Sequence, residues 1–462
     1  MTALLQRTGA PAMRWVVLLA AVCGAVGLTA GISPKYGVAV ALGLAFVVAV
    51  FADLTVGVAL FTGLSFLDLL NAGGAAVSLM KVAGLLLFLS WVASKTTAAR
   101  QTVTIAVQRH PAMVCAIVAF LAWNAVSAVW AESPGQALLT VYRYALVILL
   151  IPIMFTAVRE RKDVRIIVAA FMIGAAVSAV FGILNPASPT ASTAGRLSGG
   201  IGDPNEEASV LVAAIVLSVG MASVVKRSPR AALAALAGAI IAFVGLVDTV
   251  SRGGLISFAC VLVGGVIFGG RWRRQAAMLL VVGTTAVVGY YAILASGSAV
   301  HRVTSSDTSG RNDIWTVGWR MFEAHPLNGV GAGNFPVSSV HYLQRPGLVT
   351  SAIYIVDTPK VAHNIYLEQL ATLGLPGLVL MLGIFVAGIA AALKAARTFE
   401  RIGDHELELL TRCTILALIA FLSADFFLSN LVSKQLWIVF ALGPALLGLA
   451  HREAARAARD GT

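Results

Sequence analysis

Charge is what this chain has least of. Only 12% of its 462 residues are charged, against about a quarter in a soluble domain, and 59% are hydrophobic. That balance, with a mean hydropathy of +0.89, excludes a soluble globular enzyme. Cysteine is scarce too. Cys23, Cys115, Cys260 and Cys413 form no CxxC pair and no Cys/His cluster of metal-ligand spacing, so neither a disulfide framework nor a zinc site is indicated. Long polar stretches are nearly absent. Only about 296–364 interrupts the apolar pattern at length, and a connection of that size is either functional or disordered. Its aromatics, Trp315, Trp319, Phe322, Phe335, Tyr342 and Tyr354, argue against disorder.

What fills the chain is membrane-spanning helix. Apolar runs long enough for a roughly 30 Å hydrocarbon core recur at 15–32, 37–52, 54–70, 77–94, 111–130, 138–157, 165–184, 207–225, 231–248, 253–270, 276–295, 365–394, 408–431 and 433–450, fourteen in all. The second and third are separated only by Ala52 and Asp53. Met1 to Ala30 resembles a signal peptide, but its apolar run is of spanning length and reads as an uncleaved first helix. The fold class expected is an all-α integral membrane protein with a long, partly helical extracytoplasmic loop.

The net charge of +12 is topology and does not point to nucleic acid. The basic clusters Lys95/Arg100/Arg109, Arg159/Arg161/Lys162/Arg165, Lys226/Arg227/Arg230, Arg271/Arg273/Arg274 and Lys394/Arg397/Arg401 sit in short connections. Arg7 and Arg14 precede the first span, and Arg452/Arg456/Arg459 follow the last. With fourteen spans all of them fall on one side, which the positive-inside rule makes cytoplasmic, with both termini inside. Attraction to anionic lipid is a secondary consequence.

Three polar segments then emerge together on the opposite face. The first, 185–206, carries Arg196 and Asp203-Pro204-Asn205-Glu206-Glu207. Asp203 reads as a helix cap with Pro204 in the first turn, and the glutamates suit the helix dipole there. In the second, Ser251-Arg252-Gly253-Gly254 places an arginine beside an open helix N-terminus. That reads either as an anion site or as an arginine snorkelling to a lipid headgroup. In the third, Arg311 starts a stretch with helical apolar spacing (Ile314, Val317, Met321, Phe322), either an amphipathic helix at the membrane surface or a packing helix. Gly329-Val330-Gly331-Ala332-Gly333-Asn334 follows no strand, so the dinucleotide fingerprint does not apply; it reads as a flexible turn more readily than as a phosphate cradle. His363, at the mouth of the span beginning at 365, is either structural or a general base toward a hydroxyl.

Together these residues resemble the O-antigen ligase and O-antigen polymerase superfamily. The likeness rests on Ser309–Trp315, Pro326–Phe335, and His363–Leu367 with Leu373–Gly377, ten residues separating His363 from Gly374. Ser251–Gly254 and Asp203–Asn205 match upstream motifs. The resemblance covers about 185–395, including the outer loop 296–364. It divides the chain into N-terminal helices (1–184), a catalytic region (185–395) and C-terminal helices with a cytoplasmic tail (396–462). It implies a GT-C-like glycosyltransferase of the outer face of the cytoplasmic membrane, moving a glycan from a polyprenyl diphosphate donor to a glycan or lipid acceptor without a cofactor. His363 is implied as the catalytic base and Arg252 and Arg311 as the diphosphate-binding arginines. Arg196 is a weaker candidate for the same role, and Asn364, Asp203, Asn205 and Asp313 are supporting residues.

Some features depart from that pattern. The family is drawn with about twelve spans. Asp68, Asp248 and Asp425 lie in or near spans, where ionisable residues are costly, and have no place in the mechanism. Asp203, Asp307, Asp313 and Asp357 supply outer carboxylates, but no spacing singles out a metal site. The rival class is a transporter or flippase of lipid-linked oligosaccharide. It would show internal repeats and midplane polar groups, whereas the polar chemistry here collects on one face.

Overall fold

The structure, a computed structural model, describes residues 34–67, 79–94, 110–185, 195–226, 228–305, 310–343 and 352–460, with positions 24, 28, 31 and 349. The expected first span apart from positions 24, 28 and 31, its Cys23, the 95–109 basic cluster, Asp68, Asp307 and Ser309 lie outside these residues.

The described residues are helical, as the hydropathy pattern requires. Helices α1 (Pro34–Ala52), α2 (Leu54–Leu64) and α3 (Leu79–Ala93) come first. Asp53 settles the ambiguity between the first two. Its backbone is extended and its carboxylate accepts from Thr55 N and Val56 N, so it ends one helix and caps the next. Next come α4 (Pro111–Val126), α5 (Pro134–Ile148), α6 (Leu150–Ala157), α7 (Arg161–Leu184), α8 (Pro204–Val224), α9 (Pro229–Asp248), α10 (Arg252–Phe268) and α11 (Arg273–Gly289). The long polar segment holds α12 (Gly297–Thr304), α13 (Arg311–Ala324) and α14 (Phe335–Ser338), and α15 (Ile365–Arg401), α16 (His405–Ala424) and α17 (Lys434–Asp460) close the chain.

Among the described residues nine helices are long and apolar enough to cross a membrane, and α1, α2, α3 and α10 are further apolar helices. Every expected span but the first falls on one of these. Helices α8, α16 and α17 are the inner ones, while the 270–294 helix is peripheral, with none of its apolar window buried. Helix α8 packs on α9 and α16, and α15 on α17 and α16. Small residues permit the close approaches: a Cβ on Gly245 would meet Ala179 and Leu211 at 3.0 Å, as expected where helices associate by packing in lipid.

The charges separate to the two ends of the bundle. At one end Arg161 bridges Asp404 (2.8 Å) and Glu453 (3.4 Å), and Arg165 pairs with Glu406 at 3.2 Å. Arg452 donates to Val158 O, and Arg412 to Glu408, Glu400 and Phe268 O. The start of α7, the ends of α10 and α15, the start of α16 and the end of α17 therefore share the basic end. At the opposite end the starts of α10 and α15 and the chain just after α16 meet the 296–364 segment, through Arg252 to Ser305 O, the 311–324 helix on α15, and Trp315 on Phe426.

Candidate active site

Two backbone features organise that second end. The first is a break in α15. Gly374 has φ 66° and ψ −168°, a region open essentially only to glycine, and it interrupts the helical ladder. The carbonyls freed by the break are taken by the glycine-rich run. Val330 N donates to Ala371 O (3.0 Å), Gly331 N to Thr372 O (2.8 Å), and Leu375 N to Pro326 O (2.8 Å). Trp123 Nε1 takes Leu373 O at 2.9 Å. Asn334, fully buried, ties the run to the start of α5: Ser133 N donates to Asn334 Oδ1 (2.7 Å), and Asn334 Nδ2 donates to Ser133 O and Ala332 O. The run is therefore neither a flexible turn nor a phosphate cradle. Its amides are spent on a clasp that holds the first turns of α15 in place.

The second feature is strain. Among the described residues the non-glycine positions with positive φ are Val250 (48°) and His363 (49°). For a β-branched valine this is an outlier. Strain of this kind persists where surroundings over-determine the backbone, and it clusters at functional sites. Val250 lies two residues before Arg252, and His363 is itself a sequence-predicted residue. Around His363 the determinants are explicit: Trp315 Nε1 donates to Ala362 O at 2.9 Å, and Asn364 Oδ1 caps α15 by accepting from Tyr366 N and Leu367 N. Asn364 is thus a positioning residue. The next amide, Ile365 N, donates to Asp425 O (3.0 Å), which gives Asp425 a structural place at the end of α16.

The arginines arrive from separate elements. Arg196 is buried, donating through Nε to Thr249 O (2.8 Å) and through a terminal nitrogen to Asn205 Oδ1 (2.9 Å). Ser251 Oγ donates to the same oxygen at 2.9 Å, so Asn205 joins the two upstream motifs and Arg196. Asp203 caps α8 as expected, accepting from Asn205 N and Glu206 N. Arg252 opens α10 and donates to Ser305 O at 2.7 Å. Arg311 opens α13 after Gly310, whose φ is 76° and whose missing side chain leaves room for the Tyr354 ring. Helix α13 packs on α15, so the amphipathic stretch is a packing helix, with Trp315 seated against Phe426 at 5.8 Å between ring centres.

These side chains feel one another. Burial and then Arg302 push Arg196 down to about 10, with Arg311 and Arg252 acting in the same direction. Arg311 is lowered by burial, then by Arg252 and by Arg302. His363 is lowered from its ordinary value by burial and then by Arg311; Asp203 opposes and Lys360 adds to the effect. Arg196 and Arg311 are thus lowered by burial first and then by neighbouring arginines, as expected where cations gather with too little anion to balance them. Asp203 is the carboxylate that acts on Arg196, Arg311 and His363.

The structure thus brings together Arg196, Arg252, Arg311, His363 and Asp203, with Asn205 and Asn364 as their supports. Asp313 is buried in the first turn of α13, placed to pack the helix. Sequence reasoning missed Arg302. It lies on α12, in a stretch read as loop, and its signal was a short amphipathic pattern beside His301. Asp248 also finds a role, as Tyr290 donates to its carboxylate and Leu197 N to its carbonyl. Among the described residues no group of three or more His, Cys, Asp or Glu stands close enough to hold a metal ion.

The fold and site define a multi-pass, all-helical membrane protein with a histidine and clustered arginines at one end of the bundle. Residues 237–382 match a family model described as O-Antigen ligase, in line with the resemblance to the O-antigen ligase and polymerase superfamily. That span includes Arg252, Arg302, Arg311, His363 and Gly374. Arg196, Asp203 and Asn205 precede it. No curated protein matches the chain.

Proposed function

We propose that the chain is a membrane glycosyltransferase that moves a glycan from a polyprenyl diphosphate to a hydroxyl acceptor, in ligase or polymerase fashion, during cell-envelope polysaccharide synthesis. The observation that carries this reading is the excess of positive charge formed by Arg196, Arg252, Arg302 and Arg311 beside a histidine whose proton affinity is lowered. Fixed guanidinium forks match the oxygens of a diphosphate and stabilise the charge that develops as it leaves. A transporter would not require a base among them. The catalytic region is 185–395 within a GT-C-like, fourteen-span chain. By the positive-inside rule, the basic end lies in the cytoplasm with both termini, and the arginine cluster lies on the outer face of the cytoplasmic membrane.

In the reaction, neutral His363 takes the proton from the acceptor hydroxyl as that oxygen attacks the anomeric carbon. The bond from that carbon to the diphosphate oxygen breaks, and Arg252 and Arg311 hold the departing diphosphate, with Arg196 and Arg302 adding to the field. Attack opposite the leaving group inverts the anomeric centre. No step requires a metal or cofactor. The test is transfer by purified protein from a polyprenyl-diphosphate glycan, with candidate acceptors supplied one at a time and the anomeric configuration of the product read by NMR. Product with inverted configuration supports the reading; facilitated movement of donor across a bilayer without transfer overturns it.

A further inference from the structure

A cavity lies beside the His363 segment. It measures about 280 Å³ and is walled by α4, α5, the first turns of α15 and the 429–432 stretch. Val361 and Ile365 form part of its wall, flanking His363 and Asn364 in sequence. Its volume is close to the lower end of the roughly 300–1,000 Å³ of small-molecule pockets, enough for a small polar unit and not for a whole glycan.

Its polar groups have a definite character. Asn124 is fully buried, and its Nδ2 donates to Phe120 O at 2.7 Å, so its amide orientation is fixed by a carbonyl; its Oδ1 has no partner. Gln369 is 3% exposed, its Nε2 donates to Tyr144 Oη at 3.3 Å, and its Oε1 has no partner either. Both residues line the cavity. A buried acceptor left unpaired costs about 1–3 kcal/mol, so the pair calls for hydroxyl or amine donors from a ligand. Two unpaired acceptor oxygens in the wall disfavour a phosphate. Arg143 and Glu368 also line the cavity, a single arginine and a carboxyl against the four arginines of the cluster.

We propose that this cavity is the acceptor subsite, holding a hydroxyl-rich sugar unit whose O–H groups donate to Asn124 Oδ1 and Gln369 Oε1. This rests on the transferase reading above. It puts the nucleophile's sugar against the segment that carries His363, within reach of the base, in a cavity that none of the four clustered arginines lines.

The test uses the full chain in phosphatidylcholine nanodiscs, as wild type, Gln369→Met, and Thr140→Phe, which fills the cavity from its rim without removing a buried polar group. In transfer assays both variants should raise the acceptor KM about tenfold, the loss of about one hydrogen bond to a buried acceptor, and leave the donor KM within about twofold. A rise in donor KM, or no change in either constant, overturns the proposal. A second readout needs no catalysis: binding of tritiated maltotriose, a donor-rich neutral oligosaccharide, against tetraethylene glycol, which offers mainly ether oxygens. Wild type and His363→Ala should bind maltotriose alone, and both cavity variants should lose it. Absence of maltotriose binding by wild type, or equal binding by all four proteins, refutes the subsite. Binding without transfer by wild type would leave the subsite standing and overturn the transferase reading.

Discussion

Replacing Gly374 with alanine tests whether the break in α15 is built in by the backbone. With φ 66° and ψ −168°, an alanine there costs about 1–3 kcal/mol in conformation alone. Its Cβ would also stand 2.5 Å from Leu327 C and O and 2.8 Å from Pro326 O. Those are backbone atoms of the clasp, and Pro326 O is already fixed by Leu375 N. Relief therefore means losing clasp hydrogen bonds worth about 0.5–1.5 kcal/mol each, and the total should exceed about 3 kcal/mol. The matched control is Gly383→Ala on the same helix, where a Cβ meets nothing within 4 Å and the change should gain up to about 1 kcal/mol. Thermal unfolding in detergent should show Gly374→Ala well below wild type and Gly383→Ala at or above it. If the two variants unfold together, or Gly374→Ala lies within about 0.5 kcal/mol of wild type, the argument for the break is wrong.

The remaining predictions concern the charges. Because His363 titrates below its ordinary value, the base is neutral at pH 7, and transfer should fall only as the pH drops through that lowered value. Asp203→Asn removes the charge that raises it, so the acid limb of kcat/KM should move to lower pH; Lys360→Gln should move it to higher pH, and identical limbs in a pH titration would refute the coupling. Arg302→Gln should raise the donor KM, since its charge acts on both Arg196 and Arg311; an unchanged donor KM removes it from the site. Arg252→Lys keeps the charge and loses the planar fork, and kcat should fall by about tenfold or more, one charge-assisted hydrogen bond. Unchanged kinetics would return Arg252 to the lipid-anchor reading.

The parts of this account that were legible in the sequence are those written in local patterns. The apolar helices of the described residues read directly from hydropathy, and Asp203 was recognisable as a cap because capping chemistry is local. Arg252, Arg311 and His363 stood out because charge and imidazole are rare in so apolar a chain. What was not legible depends on distant partners. The role of Gly329–Asn334 follows from carbonyls released at Gly374, some forty residues on, so a run with open amides in sequence is a spent clasp in space. Arg302 joins the cluster only because α12 folds back to let Ser305 meet Arg252. Asn205 looked like part of a helix start, but its side chain links Arg196 to Ser251 across turns far apart in the chain.

The central claim is tested most directly by single-turnover transfer with His363→Ala. The variant is first shown to be monodisperse and to bind polyprenyl-diphosphate glycan as wild type does. A positioned base is worth about 10²–10⁴-fold, so transfer should fall by at least about 100-fold with donor affinity retained. Wild-type turnover by the variant would contradict the assignment of His363 as the base.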